Sequence, residues 1–209
     1  MNDNGGTVGV QVHNAGMRGQ KVTPWLGGTR AASFWRWPGT LEPGEVKALC
    51  GHIDFLPTIA EIVGAKLSDT VKAQVEGRSL LPLLKNHEAE WTDRRLFTHV
   101  GRWPHGTSPQ EYKYRECSVR TTRWHLVCAG NKDGKKVWQL FDVQADPGEK
   151  TDVAGQNARV LQRLDAAYDG WWDSVQPQLV NENAVPPKSN PFKNLFEQQF
   201  GKSSSPARK

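Results

Sequence analysis

Features that would settle a class at once are scarce in this chain. No run of about eighteen apolar residues occurs, so no membrane-spanning helix is read. Residues Met1–Val12 are polar and Gly-rich, without the apolar stretch an export signal needs, so no signal peptide is read either. The three cysteines, Cys50, Cys117 and Cys128, stand at unrelated spacings. That excludes a disulfide framework or a zinc pattern and leaves Cys117 and Cys128 as small buried hydrophobes flanking a hairpin. An excess of one charge sign is modest too. The net charge is +5, yet residues 181–209 hold five basic residues against two acids and end in Ser203-Ser204-Ser205-Pro206. That tail reads as partly disordered. The body is then close to neutral, and no nucleic-acid partner is expected.

What is present divides the 209 residues into three spans. Residues 5–30 read as loop, rich in glycine and without a sustained apolar period. Ala32–Trp37 reads as a short strand closed by Pro38-Gly39. A helix comes next, with Asp54 as N-cap, Pro57 in its first turn, Gly64 at its stop, and Phe55, Ile59, Ile62 and Val63 as one apolar face. A shorter helix runs from Ser79 through Leu84. After Trp91 the texture changes. Arg95–Val100, Cys117–Arg120, Trp124–Cys128 and Val137–Val143 read as strands, the middle pair as a hairpin around Thr121-Thr122. Asp146-Pro147-Gly148-Glu149 is a turn. A long helix over about 157–175 carries Leu161, Leu164, Tyr168, Trp171, Trp172 and Val175 at helical spacing, and Asn190-Pro191 opens a last amphipathic turn. The reading is an α/β part over 1–92, a small antiparallel sheet with a covering helix over 93–180, and a tail over 181–209.

Chemistry-bearing residues concentrate at the start. Asp3 and Asn4 place a carboxylate and an amide oxygen side by side, the donors a hard cation such as Ca²⁺ takes. Lys21 adds a compact positive charge suited to an anion. Taken singly, Asp3-Asn4-Gly5 is a turn and Lys21 a solvated lysine. His99 and His105 bracket a loop that would face a substrate, although solvent-facing or packed histidines are the plainer reading. His13, His52, His87 and His125 offer no reason to be chosen. Packing accounts for most of the nine tryptophans.

The order of motifs resembles the C-terminal half of the type I sulfatases, close to the arylsulfatase A-like members. The motifs are Asp3-Asn4-Gly5, Gly19-Gln20-Lys21, Gly27-Gly28-Thr29-Arg30, Pro38-Gly39, Ile53-Asp54-Phe55-Leu56-Pro57-Thr58, the Gly77–Leu84 segment, Val119-Arg120-Thr121, Leu140-Phe141-Asp142 and Asp146-Pro147-Gly148-Glu149. Each is short; their shared order over most of residues 2–175 carries the resemblance. It implies an alkaline-phosphatase-like α/β fold, sulfuric ester hydrolysis of an aryl or carbohydrate sulfate, and Ca²⁺ held in part by Asp3 and Asn4. Lys21 then touches the sulfate. Leu26 stands where the family has Glu, Val22 where glycine comes after the lysine, and Ala31-Ala32 where Val-Pro is commoner.

The family's nucleophile is a formylglycine made within Cys/Ser-x-Pro-x-Arg. Cys117-Ser118-Val119-Arg120 lacks the proline, the motif is read as missing, and so is the paired Asp-Asp that supplies further metal ligands. A chain with half a metal site and no nucleophile is expected to be inactive alone, with Met1 standing inside a longer coding sequence. Family members are commonly periplasmic, secreted or lysosomal. The alternatives are a phosphonate or phosphodiester hydrolase of the same superfamily and a non-catalytic fragment binding sulfated glycans.

Overall fold

The computed structural model describes residues 1–129, 135–179 and 189–201; residues 130–134 and much of the tail read as partly disordered lie outside them. Its core is a four-stranded antiparallel sheet in sequential order: β1 Leu96–His99, β2 Cys117–Arg120, β3 Trp124–Cys128 and β4 Gln139–Asp142. The alternation that marks the middle hairpin fixes its register, Cys117 opposite Cys128 and Val119 opposite Leu126.

Alternation also sorts the sheet into two covered faces. One carries Cys117, Val119, Leu126, Cys128 and Leu140, packed under Leu164, Tyr168 and Trp172 of the long helix Ala158–Leu179. The Tyr168 hydroxyl donates to Lys113 O at 2.5 Å, and Trp172 Nε1 donates to Gln110, so each buried aromatic has its polar end satisfied. The other face carries Val127 and Phe141 and, with Val143 just past β4, meets Trp25 and Leu26. Both faces are therefore buried, where a single covering helix is the sequence reading.

Trp25 and Leu26 belong to a segment read as loop; Leu26–Thr29 forms one helical turn, α1. Further along, α2 spans Phe55–Ile62, α3 Asp69–Lys72 and α4 Leu81–Lys85. The Ile-Asp-x-x-Pro-Thr motif proves to be an internal staple. The Asp54 carboxylate, fully buried, accepts from Gly51 N–H, Arg78 N–H and the Arg94 guanidinium at 2.7–2.8 Å. The Thr58 hydroxyl donates to Asp54 O and accepts Leu80 N–H. Gly77 is required because a Cβ there would collide with Ile53 O.

This staple corrects the apolar face expected of α2. Thr58 and Ala60 turn inward toward α4, Ile59 and Ile62 are half-buried, and Phe55 and Val63 are exposed. The expected strand at Ala32–Trp37 does not form. Asn2 N–H donates to Ala32 O at 2.9 Å, but no ladder continues beside it among the described residues. The amphipathic turn at the end is the helix Pro191–Phe200, here α6 with Ala158–Leu179 as α5. Asn190 caps it by accepting from Phe192 and Lys193 N–H.

Candidate functional site

Asp3, Asn4 and Lys21 come together. An open cavity of about 590 Å³ is lined by residues 1–7 and Lys21. Backbone bonds assemble it from three strings of chain. Gly5 N–H donates to Gly28 O at 3.0 Å, Lys21 N–H to Gly6 O at 2.9 Å, and Gly27 N–H to Arg18 O at 2.7 Å. Gly5 lies so close to α1 that a Cβ would strike Gly27 O, and a Cβ on Gly28 would strike Thr23 O and Gln20 O. The glycines are there for backbone approach as much as for turning. Asn14 steadies the outer loop, its amide donating to Met17 O and Gly19 O.

The side chains at the mouth are accessible: Asp3 and Lys21 are exposed and Asn4 is half-buried. Val22, next to Lys21, holds φ = +75°, a left-handed conformation that a β-branched residue adopts only under strain. It stands where the resembling family has glycine.

The donor set suits calcium in kind, one charged and one neutral hard oxygen. It falls short in number, since Ca²⁺ takes six to eight oxygens. Among the described residues no cluster of three or more His, Cys, Asp or Glu side chains is placed to complete it.

Neither His99 nor His105 lines the cavity. His99 Nε2 bonds Tyr112 O at 2.9 Å and Nδ1 accepts Gly101 N–H at 2.8 Å, so both ring nitrogens serve their own loop. Its ring lies 4.9 Å from that of Trp172, and burial lowers its pKa. His105 is exposed in the following turn. The cysteines offer no nucleophile at the cavity. Burial, then the nearby Asp54 carboxylate, pushes the Cys50 thiol up to about 11, and burial raises that of Cys117 well beyond the usual thiol range.

Two residues escaped the sequence reading. Glu149, seen only as the end of a turn, is fully buried. Its carboxylate accepts Leu26 N–H at 2.8 Å and meets His125 Nδ1 at 2.5 Å. His125, given no role from sequence, lies on the sheet face opposite α5 because it alternates with Leu126. The turn motif was the one available signal, and it does not name a partner more than a hundred residues upstream. A further stretch corrects the expectation that the formylglycine motif is missing: Ser204-Ser205-Pro206-Ala207-Arg208 has the spacing Ser-x-Pro-x-Arg. It lies outside the described residues.

The family model for the C-terminal part of N-sulphoglucosamine sulphohydrolase matches residues 27–167. A sulfatase of Formosa agariphila is 30% identical over 187 residues, covering 87% of this chain and 32% of that protein. Rat steryl-sulfatase is 34% identical over 177 residues, covering 72% of this chain and 29% of the relative. The crystal structure of Ps i-CgsB with a neocarrahexaose superposes with a TM-score of 0.67 at 22% identity, covering 94% of this chain and 39% of that one. The chain thus spans about a third of the length of these curated relatives.

Proposed function

The chain belongs to the sulfatase family, whose C-terminal part it matches over residues 27–167, and from that premise we propose that residues 1–30 carry the metal-and-lysine end of a sulfate-ester site. The family is one of sulfuric ester hydrolases with an alkaline-phosphatase-like fold. The observation supporting the site is that Asp3, Asn4 and Lys21 line one cavity although a loop of chain separates them.

Breaking a sulfate ester accumulates negative charge on the bridging and sulfuryl oxygens. The Lys21 ammonium has three donors on a flexible stem and meets such oxygens as a point charge. Asp3 supplies negative charge to hold a divalent cation, and Asn4 adds an oxygen without over-neutralising it. When bound, calcium supplies concentrated positive charge beside the sulfuryl oxygens. Gly5 and Gly28 keep the backbone close enough for the two halves to share one opening. These groups bind and orient sulfate; the nucleophile is not among them. Asp3, Asn4 and Lys21 are therefore proposed to hold the sulfate group without attacking it.

Amide NMR of the full chain tests this. Calcium chloride and then sodium sulfate shift the Asp3–Gly6 and Lys21 signals, Asp3→Ala removes the calcium response, and Lys21→Ala removes the sulfate response. A response that ignores both substitutions overturns the proposal. Turnover of 4-nitrophenyl sulfate by the purified chain contradicts inactivity; if Ser204→Ala abolishes it, the tail serine is the nucleophile.

A further inference from the structure

The turn at Asp146–Glu149 does not need its last carboxylate. Asp146 closes it, accepting Lys150 N–H at 2.6 Å and Thr151 N–H at 2.8 Å. Glu149 is nonetheless fully buried, and burying a carboxylate is costly unless it is hydrogen-bonded. One oxygen meets His125 on β3, and the other accepts the N–H of Leu26, the first residue of α1. A four-residue helix has no length with which to hold its own place. Directly after Leu26 stand Gly27 and Gly28, the backbone against which Gly5 is packed. The carbonyl of Glu149 also accepts from the Arg18 guanidinium at 3.2 Å, and that guanidinium stacks 3.6 Å from the Trp25 ring centre. Gly19-Gln20-Lys21 follows directly on Arg18. The two strings that hold residues 5 and 6 in place, Leu26–Gly28 and Arg18–Lys21, thus both meet one buried residue of the turn after the sheet.

We propose that Glu149, braced by His125, is a positioning residue that sets the Asp3–Asn4 pair and Lys21 at a common opening by fixing Leu26 and Arg18. The functional part of this rests on the reading of that opening as a sulfate and calcium site. The mechanical part does not.

Amide hydrogen exchange of the full chain without ligand tests the mechanical part. Glu149→Ala is expected to speed exchange at Gly5 and Lys21 at least tenfold, while Val119 and Leu126 in the sheet stay within twofold. Glu149→Gln keeps an oxygen for Leu26 N–H and is expected to restore Gly5 and Lys21 to within about threefold of the parent. If Glu149→Ala does not fold, Leu26→Pro deletes the same N–H at a first helical position, where proline is accommodated, and is expected to give the same pattern. Acceleration of Leu26 alone overturns the proposal, because Glu149 then only caps α1. Equal acceleration of Val119 and Leu126 overturns it as well, because the effect is then on global stability. Calcium chloride titration of the same samples separates the two readings. The half-saturation point rises at least threefold in Glu149→Ala if positioning holds. An unresponsive parent chain sinks the metal site while the exchange result still decides positioning.

Discussion

Replacing Val22 with glycine should stabilise this protein, although it removes a side chain and loosens the unfolded chain. Val22 sits at φ = +75° and is 57% exposed, so its isopropyl group gains little from burial. A left-handed conformation costs an L-residue about 1–2 kcal/mol, and β-branching puts valine toward the upper end. Glycine relieves that strain. It returns about 0.5–1 kcal/mol through the greater freedom of the unfolded chain. The balance is about 0.5–1 kcal/mol in favour of Val22→Gly, or roughly 1–4 °C in melting temperature for a chain of this size. Val22→Ala, relieved of branching but not of the backbone strain, should fall between the two. Urea unfolding monitored by tryptophan fluorescence reads the difference as a shift in midpoint at constant slope. A Val22→Gly protein less stable than the parent by about 1 kcal/mol would refute the strain argument. It would show that the side chain holds the loop beside Lys21 through contacts that outweigh its backbone.

The same geometry sets three other expectations. Asp54→Ala leaves the Arg94 guanidinium, only 6% exposed, without its carboxylate, and should cost about 3–5 kcal/mol by urea unfolding; a loss below about 1 kcal/mol would show the staple to be dispensable. Burial lowers the pKa of His125 and of His99, so the unfolded chain binds more protons near and below the ordinary histidine value of about 6.5. Stability is therefore full above that pH and falls as pH drops through it, by up to about 1.4 kcal/mol per pH unit for the fully buried His125; a melting temperature flat between about pH 7.5 and 5.5 contradicts this. The sheet and α5 should exchange amide protons more slowly than residues 30–85, since the sheet core is fully buried while Phe34, Ile53, Phe55 and Val63 are exposed. Faster exchange in the sheet than in that stretch would contradict it.

How much of this the sequence disclosed depends on how local each feature is. The Cys117–Cys128 hairpin was legible because period-two alternation and a short polar break at Thr121-Thr122 need no information from elsewhere. Asn190 as a cap and the long helix were legible for the same reason. Ala32–Trp37 has the composition of a strand, but a strand exists only beside a partner. Among the described residues only Asn2 donates to it from a distant segment, and the bonds from Thr40 and Leu41 to Trp37 O belong to the turn that follows. The apolar face of α2 was misjudged because Thr58 and Asp54, polar residues, dictate its orientation through bonds to Leu80, Arg78 and Arg94. Asp3, Asn4 and Lys21 were picked out by motif order, and the cavity brings them together. Glu149 and His125 were missed because the bonds from Glu149 to His125 and to Leu26 N–H exist only once the sheet has folded against α1.

The proposed role of Lys21, with Asp3 and Asn4, is to serve a sulfate ester. The most direct measurement supplies this chain with the upstream part of a sulfatase that carries the formylglycine motif and compares 4-nitrophenyl sulfate with bis(4-nitrophenyl) phosphate. The expected result is calcium-dependent sulfate turnover that falls about 10²–10³-fold in Lys21→Ala with the fold intact, in line with the loss of one group that stabilises developing charge. Turnover unchanged by Lys21→Ala, or a preference for the phosphodiester, would contradict it.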